Sequence, residues 1–81
     1  MKHATMIEDN PIEYAVSAIR RYLVECPDSA DTLEGIHSWW IRWPGLEESS
    51  LITLTALERL ESLEEVEKIK LGASLIWRRK R

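Results

Sequence analysis

The sequence predicts a mainly α domain that finishes in a small β-hairpin, an α+β fold in the order helix, helix, turn, helix, strand, strand. Three observations predict it. Asn10-Pro11-Ile12-Glu13 is a strong helix start: an Asn cap, Pro at the first helical position, and Glu at the third. Ile52, Thr53, Ala56, Leu57, Leu60 and Leu63 recur at the spacing of a helix packed on a core. After Leu63 that phase fails, and Val66-Glu67-Lys68-Ile69-Lys70-Leu71 and Leu75-Ile76-Trp77-Arg78 read with period two on either side of a Gly-containing loop.

The elements follow in order. Residues 1–9 show no periodicity and are expected to be a flexible arm, leaving 10–81 as a single domain. The first helix, 10–26, lines Ile12, Ala15, Val16, Ile19, Tyr22, Leu23 and Cys26 along one face and stops at Pro27. Cys26 completes that face and is expected to be a buried thiol. Asp28-Ser29-Ala30 connects to a second helix, 31–41, with Asp31 as cap and Glu34 reaching back to it. Its inner face is Leu33, Ile36, His37 and Trp40, and Gly35 inside it suggests a second backbone passing close by. Trp43-Pro44-Gly45 suits a type II turn. The third helix spans 48–64, and the hairpin 66–79. A three-residue loop, Gly72-Ala73-Ser74, pairs Ile69 with Trp77 and Leu71 with Leu75. That register gathers four apolar side chains on one face and places Lys68, Lys70, Ile76, Arg78 and Lys80 on the other.

Composition narrows the classes of function. No apolar run approaches the ~20 residues of a membrane span, and the N-terminal residues lack the apolar core of a secretory signal. One Cys permits no internal disulfide, so a reducing, cytoplasmic setting is expected. The formal net charge of −3 conceals a polarity: residues 1–67 hold five Lys/Arg against all fourteen Asp/Glu, net −9. Residues 68–81 hold the other six Lys/Arg and no acid, net +6. Such a basic pole suits nucleic acid, an anionic surface or an acidic partner.

The Asp31-to-Ile41 helix, the Trp43-Pro44-Gly45 turn, the Ala56-Leu57-Glu58-Arg59-Leu60-Glu61-Ser62-Leu63 stretch and the Val66-to-Trp77 hairpin together resemble the winged helix-turn-helix superfamily. The resemblance covers about Asn10 to Trp77 and rests on element order and length. It implies duplex DNA as partner, with the third helix in the major groove and the hairpin wing on the backbone or in the minor groove. Carried over by position, the third-helix surface is Ser50, Leu51, Leu54, Thr55, Glu58 and Ser62, with Arg59 on its flank. That face lacks the Arg, Lys, Asn or Gln that groove readers offer to base edges. The wing supplies Lys68, Lys70, Arg78, Arg79 and Lys80, enough for four to six phosphate contacts and a salt dependence of slope about −4 to −5. The alternative is a protein-interaction adaptor, or a homodimer, that uses the non-basic third-helix face. A DNA-binding, transcription-regulator-like role is the favoured expectation.

No chemistry-bearing constellation emerges. His3, His37 and Cys26 are the only soft ligands and do not have the spacing of a zinc site. The sequence contains neither a Gly-rich phosphate loop nor a Ser-centred elbow, so no enzyme activity, metal or cofactor is expected. Trp39, Trp40 and Trp43 form the densest aromatic group; Trp40 is expected inside, while Trp39 and Trp43 are candidate interface anchors.

Overall fold

The computed structural model describes residues 10–81; the arm expected over residues 1–9 lies outside the described residues. Helix α1 is Pro11–Glu25, and the Asn10 side chain accepts from the Glu13 N–H at 3.2 Å as its cap. Ala15, Val16, Ile19 and Leu23 of the predicted stripe are buried along it, joined by Ala18, while Ile12 and Tyr22 are only partly buried against the core. Cys26 does not join them. It caps the helix C-terminus and is exposed, because the chain turns away here: Ser29 N–H donates to the Cys26 carbonyl at 3.1 Å.

The expected connection contributes a strand instead. β1 is Ala30–Asp31, paired antiparallel with the last strand at Arg78 and Trp77. Helix α2 therefore starts later than predicted. Its cap is Thr32, not Asp31, and the Thr32 hydroxyl accepts from Gly35 N–H at 3.1 Å. It runs as a helical turn at Leu33–Gly35 and then as a π-helical turn at Ile36–Trp40. The reason for Gly35 is a side chain and not a backbone: a Cβ there would lie 2.1 Å from Asp31 Oδ1. Asp31 is held in that place by β1 and by accepting from Thr32 N–H at 2.8 Å.

Residues 41–49 link α2 to α3, with a bend at 44–46. Gly45 does not adopt positive φ, so the expected type II turn is absent. Helix α3 is Ser50–Ser62, capped by the Ser49 hydroxyl, which accepts from Leu51 N–H at 3.1 Å. Thr53, Ala56, Leu57 and Leu60 are buried, whereas Leu63, predicted inside, lies past the last turn and is 53% exposed.

The helix then stops through a left-handed residue. Glu64 has φ +62°, its N–H donates to the Glu61 carbonyl at 2.9 Å, and Glu65 N–H donates to Leu60 at 2.8 Å. This pair of bonds is the Schellman arrangement, usually built on Gly because a Cβ costs about 1–2 kcal/mol in that conformation. Glu64→Gly is therefore expected to stabilise the domain by about 1 kcal/mol, raising its melting temperature by roughly 4–8 °C. An unchanged or lower melting temperature would refute that account of the helix end.

Strands β2, Val66–Leu71, and β3, Ser74–Arg79, form the predicted hairpin, and with β1 make a sheet of order β1-β3-β2. The register differs from the expected one by one residue. Lys68 faces Trp77, Ile69 faces Ile76, Lys70 faces Leu75 and Leu71 faces Ser74. The loop is accordingly the two residues Gly72-Ala73, with φ +63° at Gly72 and no positive φ at Ala73. That is the pattern of a type II′ turn, whose twist matches the strands. The physical reason lies in the core. Val66 and Trp77, each 2% exposed, share the face against the helices, and this pairing excludes Ile69 from it. The core is thus one cluster: Ile19 of α1, Ile36 and Trp40 of α2, Leu57 and Leu60 of α3, and Val66 and Trp77 of the hairpin.

Candidate interaction site

Helical phase places Ser50, Leu51, Thr55, Glu58 and Ser62 on the exposed side of α3, with Leu54 half-buried at its margin. Two hydroxyls on this face are spent inside the helix: Thr55 donates to the Leu51 carbonyl at 2.8 Å and Ser62 to Glu58 at 3.1 Å. Arg59, the one cation of α3, pairs with Glu13 of α1 and so braces the two helices. What remains is an apolar and acidic surface: Leu51 at 66% exposure, Leu54, Glu58 and, just upstream, Leu46 at 92%.

The hairpin cations do not form the single face expected. Because Trp77 opposes Lys68, the side chains of Lys68, Lys70 and Arg79 project from the core side of the ribbon and Arg78 from the other. Lys68 lies over the Trp77 ring, 5.5 Å from its centroid, and 3.8 Å from Glu61 of α3. Arg78 is paired with its cross-strand neighbour Glu67 at 2.7 Å. Lys70, Arg79 and Lys80 have no ion-pair partner among the described residues. Ile69 and Ile76 sit together on the outer face beside the Glu67–Arg78 pair.

Two clefts were not legible in the sequence, since each joins residues far apart along it. A groove of about 620 Å³ runs between the end of α1 and the root of the hairpin, with Leu23, Leu60 and Val66 beneath and Arg79 and Lys80 at its rim. Arg20 and Glu65 close one side through two hydrogen bonds, Nε to Oε1 at 2.8 Å and Nη2 to Oε2 at 2.7 Å. Hydrogen bonding from Arg20 holds the Glu65 carboxyl below the usual carboxylate range, with attraction between the charges adding to it. A depressed carboxylate stabilises the fold at pH values above its unfolded pKa, about 4.3, and the contribution disappears as pH falls through the folded value. Both side chains are nearly half exposed, so solvent screening keeps the effect well under ~1 kcal/mol. Arg20→Gln is expected to flatten the loss of stability between about pH 5 and 3 by that small amount. An acid limb as steep as that of the parent protein would show the pair contributes nothing.

The second cleft, about 240 Å³, lies between α1 and α2 and is walled by Tyr22 and Trp40, whose rings stack at 4.4 Å. Trp39, which also lines it, is 79% exposed. Trp43 is half-buried: its indole N–H donates to the His37 carbonyl at 3.0 Å, and its ring lies against Tyr14 and His37.

His37 is 5% exposed and satisfied on both nitrogens, with Nδ1 2.6 Å from Thr53 Oγ1 and Nε2 2.8 Å from Glu47 Oε2. The carboxylate only accepts, so Nε2 carries a hydrogen, and the Thr53 hydroxyl can donate to Nδ1. A carboxylate, an imidazole and a hydroxyl in series have the outline of a nucleophilic relay. Thr53, however, is fully buried and its hydroxyl is out of reach of a substrate. The trio instead pins the 41–49 connection to α3. No group of His, Cys, Asp and Glu that could hold a metal occurs among the described residues. No helix among them is long and apolar enough to cross a membrane.

Three helices followed by an antiparallel hairpin define a small α+β domain, an arrangement consistent with a winged helix. Comparison with protein-family models, with curated proteins and with solved structures returned no match.

Proposed function

We propose that this is a winged-helix-type binding module that docks a protein partner through the outer face of α3. The observation that carries this reading is the chemistry of that face. Leu51 and Leu54 stand beside Glu58, the hydroxyls of Thr55 and Ser62 bond to their own helix, and the flanking Arg59 is tied to Glu13. A surface of this kind suits an apolar partner patch with a basic flank and offers nothing to phosphates. The long connection over residues 41–49 supports the same reading, because helix-turn-helix readers join their helices through a turn of about 3–4 residues.

A second reading keeps duplex DNA as the partner. Lys70, Arg79 and Lys80, unpaired among the described residues, favour it. Three phosphate contacts instead of four to six would give a salt slope of about −3.

Affinity capture with the full chain, run beside a gel shift on duplex DNA, separates the two. The adaptor reading expects a bound protein that Leu51→Asp releases and that replacing Lys70, Arg79 and Lys80 with Ala does not. The DNA reading expects a shift at ~50 mM salt that the triple replacement abolishes and Leu51→Asp spares. A partner indifferent to Leu51→Asp would discard the first, and the lack of a shift at low salt the second.

A further inference from the structure

We propose that the cleft between α1 and α2 is a docking site for an acidic protein segment, which seats one large apolar side chain beside Trp39 and pairs its carboxylates with Arg21 and Arg42. The π-helical turn explains why Trp39 is outside at all. With bonds from residue i to i+5 the turn holds one residue more than an α-helical turn, so Ile36, Trp40 and Ile41 all face the core, 0%, 7% and 2% exposed. Ser38 and Trp39 are left facing outward. A widened turn that delivers a Trp to solvent beside a concavity is the arrangement of an anchor and its socket.

Charge identifies the occupant. Of the four arginines in residues 10–67, Arg20 and Arg59 pair with Glu65 and Glu13. Arg21 and Arg42 have no ion-pair partner among the described residues, and both line this cleft. Against those two cations stands a single acid in the lining, Glu25. Residues 10–67 carry a net charge of −8, four Arg against twelve Asp/Glu, so two arginines in one cleft without an ion-pair partner are a local exception, suited to a partner's acidic residues.

Size and rigidity argue for a protein side chain. At about 240 Å³ the cleft lies below the ~300–1,000 Å³ of small-molecule sites and has room for one large side chain. Its wall is preorganised by the Tyr22–Trp40 stack, and the loop carrying Arg42 is held where the Tyr14 hydroxyl donates to the Arg42 carbonyl. Trp, Tyr and Arg, the residues most enriched at binding hot spots, make up the greater part of the lining. A nucleic acid strand would also stack on Trp39, but strand binding needs a basic groove that follows the backbone over several nucleotides, and this cleft offers two arginines around space for one side chain.

The test is selection of a displayed random 12-residue peptide library on the immobilised full chain, then fluorescence polarisation of the enriched peptides and of a labelled oligothymidylate. Enriched peptides should carry Asp or Glu flanking Leu, Phe or Trp. Trp39→Ala should weaken them roughly 30-fold, and Arg21→Gln with Arg42→Gln roughly 10-fold. All three side chains are exposed, so these variants retain the fold, as circular dichroism would verify. Leu51→Asp should change nothing, which separates this site from the α3 face. The proposal is overturned by no enrichment, by basic or neutral peptides, by binding indifferent to Trp39→Ala, or by oligothymidylate binding tighter than the peptides.

Discussion

Replacing Trp77 with Ala is expected to cost about 3–5 kcal/mol, the range for a large aromatic side chain removed from a core. Trp77 is 2% exposed and joins three parts of the molecule: it pairs with Asp31 of β1 and Lys68 of β2, and with Val66 it is the hairpin's contribution to the core. Lys68 covers its ring, so truncation also removes a cation–π contact. A domain of this size has only about 5–15 kcal/mol in hand, so the variant should be close to unfolded at 37 °C. Urea denaturation measures the effect, and Ile69→Ala is the control. Had Ile69 shared the core face with Trp77, the two substitutions would cost similar amounts. In the observed register Ile69 is on the outer face, only partly buried, and should cost about 1 kcal/mol. Equal losses would overturn the register.

The second large effect is expected at His37. Its ring fills buried space against Trp43 and bonds to Thr53 and Glu47, so His37→Ala both opens a cavity and strands the Thr53 hydroxyl. A loss of about 3 kcal/mol should follow, lowering the melting temperature by roughly 12–24 °C. Thr53→Val keeps the shape and leaves Nδ1 without its partner, at a cost of about 1–3 kcal/mol. Glu47→Gln should cost less than ~1 kcal/mol, because that side chain is more than half exposed. The order matters more than any single value. If Glu47→Gln proves as damaging as His37→Ala, the imidazole is not held mainly by burial and by α3, and the loop contact is the dominant one.

Both residues show where sequence reading succeeds and where it stops. Trp40, His37 and the α3 stripe of Thr53, Ala56, Leu57 and Leu60 were legible because helical periodicity is local and points each side chain without reference to the rest of the chain. The change of period after Leu63 was legible for the same reason, and it placed the hairpin correctly. Cys26 and Leu63 were misplaced because each lies at a helix end, where periodicity continues on paper after the backbone has turned away. The exposed face of α3 was predictable except at Leu54, which is half-buried against the core; the pairing of Arg59 with Glu13 was not, since nothing local links positions so distant. The same holds for the Trp39 cleft. Its π turn leaves no strong compositional mark, and Arg21 and Arg42 converge only through the packing of α1 on α2.

By itself the sequence determined the order of the three helices and the hairpin, the capped start of α1, most of the stripes that face the core and the polarity of charge along the chain. These follow from side-chain spacing and composition within a dozen residues or so. Tertiary structure alone decided the hairpin register, the third strand at Ala30–Asp31 and the pairing of Lys68 and Arg78 with Glu61, Glu67 and Trp77. A ribbon with apolar residues on both faces fits either of two registers, and only the helices that receive Val66 and Trp77 distinguish them. That choice of one residue settles which cations remain available to a partner, which is why the chemistry of the surface had to wait for the packing of the core.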